Sequence, residues 1–192
     1  MADYIQLTPD LNDVADFLDP PGGRDESLPH VSDLVHACLD AAAGRKPVLK
    51  RTVTPNGIMA LGRMWESVVR GYMAQQAAEE GLVALDSVTM ERDGVIGNLD
   101  QIFYRSSYRV LGETKMRFSR HTHPLDHKRW MYQVKAYLKM LKTQHAWMPV
   151  LAVTSQPPDA DFRIFRLEFE QDEIDANWEM LMNMKEHLEE ES

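Results

Sequence analysis

Three residues in the middle of the chain have the types and spacing for chemistry at a phosphate: Asp100, and further on Glu113 with Lys115. Glu113 and Lys115 are two positions apart, so in a strand both side chains leave the same face. A turn at Ser106-Ser107 sets Asp100 directly across from Glu113, where opposed Cβ atoms lie about 4.5–5.5 Å apart. Carboxylates that close repel unless a cation sits between them, and a hard divalent ion such as Mg²⁺ prefers such oxygen ligands. Lys115 is then placed to act on a water or a phosphate oxygen. The same residues also fit an exposed hairpin carrying a Glu–Lys–Asp ion network, an arrangement of little energetic worth. A slip of one residue in the turn moves Asp100 to the other face. The neighbours Ile102, Phe103, Val110 and Leu111 are apolar and favour a sheet interior.

The elements that must position these residues follow from periodicity and breakers. Residues 1–30 read as a flexible acidic arm ending in Asp19-Pro20-Pro21-Gly22-Gly23. Residues 31–192 read as one domain. Ser32 caps a short helix, and after Pro55-Asn56-Gly57 a long helix runs from about Ile58 to Glu79 until Gly81 stops it. Strands are predicted at Leu82–Met90, Gly97–Arg105 and Tyr108–Met116, with Asp93-Gly94 as the first hairpin turn. A helix from about Lys128 to Gln144 follows, then strands at Met148–Thr154 and Phe162–Phe169. An amphipathic helix over 172–190 closes the chain. This order predicts an α/β (α+β sandwich) fold, a central mixed β-sheet flanked by helices.

Placed on those elements, Asp100 followed by Glu113-Thr114-Lys115 resembles the PD-(D/E)XK nuclease signature. Gln133-Val134-Lys135-Ala136-Tyr137 resembles the QxxxY motif of the RecB-like branch, on the helix after the ExK strand. Glu66, on the preceding helix, sits where that branch and lambda-type exonucleases place an additional metal ligand. Ser32-Asp33-Leu34-Val35-His36-Ala37-Cys38 is similar to the S-x-L-x-x-C opening of the RecB-like CRISPR adaptation nucleases. The resemblance covers about residues 30–155. It implies a restriction-endonuclease-like core and a Mg²⁺- or Mn²⁺-dependent deoxyribonuclease, an exonuclease of the compact, stand-alone kind that phages encode for DNA recombination, repair or degradation. It also implies that Asp100 and Glu113 bind one or two ions, with the Thr114 carbonyl and Glu66 as further ligands and Lys115 orienting the attacking water. For Glu66 the other reading is an i,i+4 pair with Arg70. The adaptation nucleases hold an iron–sulfur cluster on four cysteines; Cys38 is the one cysteine here, so no iron–sulfur cluster is expected.

Gln133 and Tyr137 lie one helical turn apart, able to reach one phosphate or to support the metal ligands; core packing is the rival role for Tyr137. Lys128, Lys135, Lys139 and Lys142 form a stripe on one side of the same helix. With Arg117 and Arg120, the stripe is expected to track a DNA backbone, although such stripes are often only solvated faces. His121, His123 and His127 lack the partners of a zinc site, and no G-x-S-x-G elbow marks a serine hydrolase.

Charge is distributed to match. In 192 residues of net charge −9, residues 1–44 carry −8, residues 45–150 carry +8 and residues 151–192 carry −9. A basic block between acidic ends is a partner signal, and the resemblance implies that the partner of the middle is DNA, linear duplex or single strand. The acidic ends either neutralise that block internally or engage a protein partner or a second copy. No signal peptide or apolar run of about 20 residues is present, so no membrane partner and a cytoplasmic location are expected. The alternative from another class is a catalytically inactive nucleic-acid-binding or scaffold protein that keeps the nuclease fold.

Overall fold

The computed structural model describes residues 27–49, 57–118, 123–155 and 158–191. The expected acidic arm up to residue 26, Arg120 and His121 lie outside them. The described elements are α1 (Val31–Ala42), α2 (Gly57–Glu79), β1 (Val83–Arg92), β2 (Val95–Arg105), β3 (Tyr108–Gly112), β4 (Lys115–Arg117), a 3₁₀ turn (Pro124–Asp126), α3 (Lys128–Leu141), β5 (His145–Ser155), β6 (Pro158–Glu168) and α4 (Gln171–Glu190). They form one mixed six-stranded sheet with helices on both faces, the predicted architecture.

Packing divides by face. On one side, Val69, Met73 and Ala77 of α2 bury against Phe103, Val110 and Trp147. On the other, α1, α3 and α4 close over Leu111, Ala146, Met148 and Val150. The alternation Ala146, Trp147, Met148 places successive side chains on opposite sides, as a strand requires. Gly112 is needed where β3 passes Phe103. A Cβ built there would stand 2.8 Å from the Phe103 ring and 3.0 Å from the Gln101 Cβ.

The structure corrects several boundaries. α1 starts at Val31 with His30 as its N-cap rather than Ser32, and the His30 amide donates to the Asp33 carboxylate (3.4 Å). β5 and β6 form a hairpin longer than Met148–Thr154 and Phe162–Phe169, paired from His145↔Glu168 to Ser155↔Pro158.

The chief correction is that Tyr108–Met116 is not one strand. β3 and β4 both run parallel to β5 with the same offset, Leu111↔Ala146 and Gly112↔Trp147, then Lys115↔Val150 to Arg117↔Ala152. Because β6 occupies the whole other edge of β5, β3 and β4 are two halves of a single interrupted line. Carried through the gap, that offset sets Glu113 and Thr114 against Met148 and Pro149. The Glu113 amide still donates to the Trp147 carbonyl (3.0 Å). The next rung would need an N–H from Pro149, which proline lacks, so the ladder stops at Glu113-Thr114.

Gly112→Ala is expected to destabilise the fold by about 1–3 kcal/mol through overpacking against Phe103. Urea unfolding of the two proteins side by side measures it.

Candidate active site

The β2–β3 hairpin turns at Ser106-Ser107 in the predicted register, from Arg105↔Tyr108 to Gln101↔Gly112. One further step brings Asp100 opposite Glu113, where β3 leaves the β5 ladder. The Thr114 amide donates to Asp100 Oδ2 at 2.7 Å. Asp100 is thus fixed to the backbone that carries Glu113. On its other side β1 is distorted. Asp86↔Gln101 and Val88↔Leu99 are paired, while Ser87, which would face Asp100, has φ +50°. A non-glycine residue in the left-handed region is held there by its surroundings, commonly beside a functional site.

Glu113 is 1 % exposed. Its Oε1 receives Lys115 Nζ at 2.5 Å, whereas its Oε2 is buried without a hydrogen-bond partner among the described residues. Lys115 Nζ also donates to Gln133 Oε1 (3.1 Å), and Gln133 Nε2 donates to the Tyr137 hydroxyl (2.9 Å). Tyr137 is 3 % exposed. A continuous chain therefore runs from Glu113 through Lys115 and Gln133 to a buried tyrosine, joining the QxxxY helix to the lysine rather than to the surface.

Burial raises the Asp100 carboxyl well above its ordinary value, with the Glu113 and Glu66 charges adding to the effect and Lys115 and the Thr114 amide opposing it. Burial also raises Glu113, against the opposing pull of Lys115. Both groups thus disfavour their own charge, and a cation at the pair would reverse that.

Glu66 contributes through its field and is engaged elsewhere. Its carboxylate forms the i,i+4 pair with Arg70 that the sequence offered as its other reading. Arg70 is braced in turn, because its carbonyl accepts from Gln101 Nε2 (3.2 Å), which also donates to Asp86 Oδ1 (2.7 Å). Among the described residues no three acidic, histidine or cysteine side chains converge on one ion position. The donor set already assembled is Asp100 and Glu113. The unpartnered Glu113 Oε2 is the atom that most needs a cation, and an all-oxygen set suits Mg²⁺ or Mn²⁺. Thr114 and Glu66 adjoin them, and all four line one cavity of about 300 Å³ with Lys115 and Gln133. A second cleft of about 440 Å³ shares Arg63, Glu66 and Asp100 with the first.

The remaining expected contacts are placed as follows. Lys135 and Lys139 are paired with Glu173 (3.0 Å) and Asp175 (2.6 Å) of α4. A DNA phosphate would have to displace those carboxylates. Arg117 lies against the His127 imidazole, which stacks on Trp130 with centroids 4.2 Å apart. Burial, and then Arg117, lower the His127 pKa and favour the neutral ring as acceptor. His123 caps the 3₁₀ turn by accepting from the Leu125 amide (3.3 Å). The Cys38 thiol, pushed by burial to about 11, stays protonated and packs in the α1 core. Five lining residues were not among the expected site residues: Gly62, Arg63, Trp65, Met116 and Phe118, the last directly after β4.

Several solved structures are similar to this one in fold. LHK-Exo in complex with dAMP superposes with TM-score 0.55 at 13% identity, over 85% of this chain and 89% of LHK-Exo. A second structure of LHK-Exo, an alkaline exonuclease from Laribacter hongkongensis, gives 0.50 at 14% identity, over 95% of this chain and 88% of that one. The chain shares the α/β fold of LHK-Exo. SSO0001 is also similar, at 0.51 and 14% identity over 91% of this chain and 84% of its own. No family model matches the chain, and no curated protein does. No helix among the described residues is long and apolar enough to cross a membrane.

The raised carboxyls set a sign for pH dependence. Between an ordinary carboxyl pKa and the raised ones, the folded protein holds more protons than the unfolded chain, so metal-free stability falls as pH rises. Cation binding requires both groups deprotonated, so stabilisation by Mn²⁺ or Mg²⁺ should grow with pH over that window. It reaches about 2.7 kcal/mol at a hundredfold excess over Kd. Thermal melts with and without Mn²⁺ across a pH series, in wild type and Asp100→Asn, measure it; the variant should lose most of the metal shift.

Proposed function

We propose that this protein is a Mg²⁺- or Mn²⁺-dependent deoxyribonuclease, and specifically an exonuclease, hydrolysing phosphodiester bonds at the Asp100–Glu113–Lys115 site. The observation that carries the reading is the pairing of half-buried Asp100 with buried Glu113, whose Oε2 has no donor among the described residues, with Lys115 alongside. A purely structural role would place a hydrogen-bond donor at that atom. The fold shared with alkaline exonucleases supports the choice of DNA and of exonucleolytic cleavage.

Asp100 and Glu113 would hold the ion, with the Thr114 carbonyl and Glu66 completing the set, Glu66 by leaving Arg70. When bound, a divalent ion lowers the pKa of water and offsets charge on the phosphoryl group. Lys115 does the positioning. Two of its three N–H groups are occupied by Glu113 and Gln133, which leaves one for the attacking water or a non-bridging phosphate oxygen. In the reaction the water oxygen bonds to phosphorus, the bond to the leaving sugar oxygen breaks, and the proton lost by water balances the one the leaving oxygen gains. Gln133 and Tyr137 hold the lysine on line. Arg117 and Arg120 are assigned to the DNA backbone, where each contact makes binding weaken with added salt.

Linear DNA incubated with Mn²⁺ should be degraded, EDTA should abolish the reaction, and covalently closed circles should resist it. Lys115→Ala should lower kcat by about 10²-fold or more, the scale on which a single preorganised donor acts in a transition state. Cleavage that survives chelation, or salt-sensitive binding with no cleavage by the wild type, would refute the reading; the latter outcome would favour the non-catalytic alternative.

A further inference from the structure

The cavity that holds the carboxylates is chemically two-sided. Asp100, Glu113, Lys115 and Gln133 form a charged and polar part, while Trp65, Met116 and Phe118 form an aromatic and apolar part. Phosphodiester chemistry uses only the first. Phe118 has no place in the fold's core. It is 51 % exposed, immediately follows β4, and belongs to neither buried cluster. A large apolar ring left in water costs free energy unless something covers it. Trp65 is anchored, its ring set edge-on against Phe162 with centroids 5.1 Å apart. The apolar wall therefore has a fixed side and a free side.

We propose that Phe118, backed by Met116 and Trp65, is the stacking wall for the nucleobase of the nucleotide whose phosphate lies at the carboxylates. The inference rests on the nuclease reading above and adds to it a specificity-determining residue. A nucleotide is the ligand that matches both parts, an anionic phosphate joined to a flat aromatic ring. Size agrees with a single unit, because about 300 Å³ is the lower end for small-molecule sites and admits no base pair. The base that enters has left its neighbours' stack, and contact with Phe118 replaces part of what it lost. Every base has a π-face, so the wall accepts all four bases and rejects a nucleotide without one.

The experiment compares kcat/KM in Mn²⁺ for a single-stranded oligonucleotide and for the same oligonucleotide with a reduced abasic site at the terminal position, each tested at both ends. Wild type should prefer the intact substrate by about 5- to 100-fold, the range that base–aromatic stacking supplies. Phe118→Ala should lose that preference by slowing only on the intact substrate, and Phe118→Trp should keep it. Thermal melts establish that both variants are folded. Equal preference in wild type and Phe118→Ala would overturn the stacking wall while leaving the nuclease reading intact. Absence of metal-stimulated cleavage of both substrates by the wild type would overturn both.

Discussion

A buried glutamate set opposite a half-buried aspartate, with one glutamate oxygen lacking a donor among the described residues, is the constraint on which the rest of this structure turns. Burial and like charge both oppose ionisation of Asp100 and Glu113, so the pair is a local cost that the fold must carry. Lys115 meets part of that cost, and its reach from β4 back to Glu113 ties together the two halves of the interrupted strand. A cation would meet the remainder. The geometry is thus better suited to a liganded state than to an empty one, which is how preorganised sites differ from structural ion pairs.

The backbone supplies this arrangement with one residue from a distant strand. Pro149 withholds the rung that would have kept β3 running straight along β5. The interruption exposes the Thr114 amide to Asp100, and it turns a hairpin pair into a pocket. Ser87 in its left-handed conformation opens the opposite flank. Both departures from regular sheet geometry fall on the two neighbours of one aspartate, consistent with local strain being tolerated where a site requires it.

Charge segregation along the chain has a partly internal meaning. Glu173 and Asp175 from the acidic end pair with Lys135 and Lys139 of the basic block, and Glu80 pairs with Arg166 between α2 and β6. The lysine stripe on α3 was visible from helical spacing, yet its exposure depended on whether another element covered it. α4 covers Lys135 and Lys139, while Lys128 and Lys142 stay exposed. In contrast, Gln133 and Tyr137 faced inward along the same helix, where they support the lysine.

The sequence by itself determined whatever is local. The hairpin turn at Ser106-Ser107 set the Asp100–Glu113 register, alternation put Glu113 and Lys115 on one face, and the Glu66–Arg70 pair followed from a single helical turn. Each depends on residues a few positions apart, whose relative placement the backbone period dictates. Tertiary structure alone decided the break at Glu113-Thr114, the cover over Lys135 and Lys139, and the position of Phe118 in the cavity. Those depend on strands and helices separated by tens of residues, and no local period specifies which of them meet.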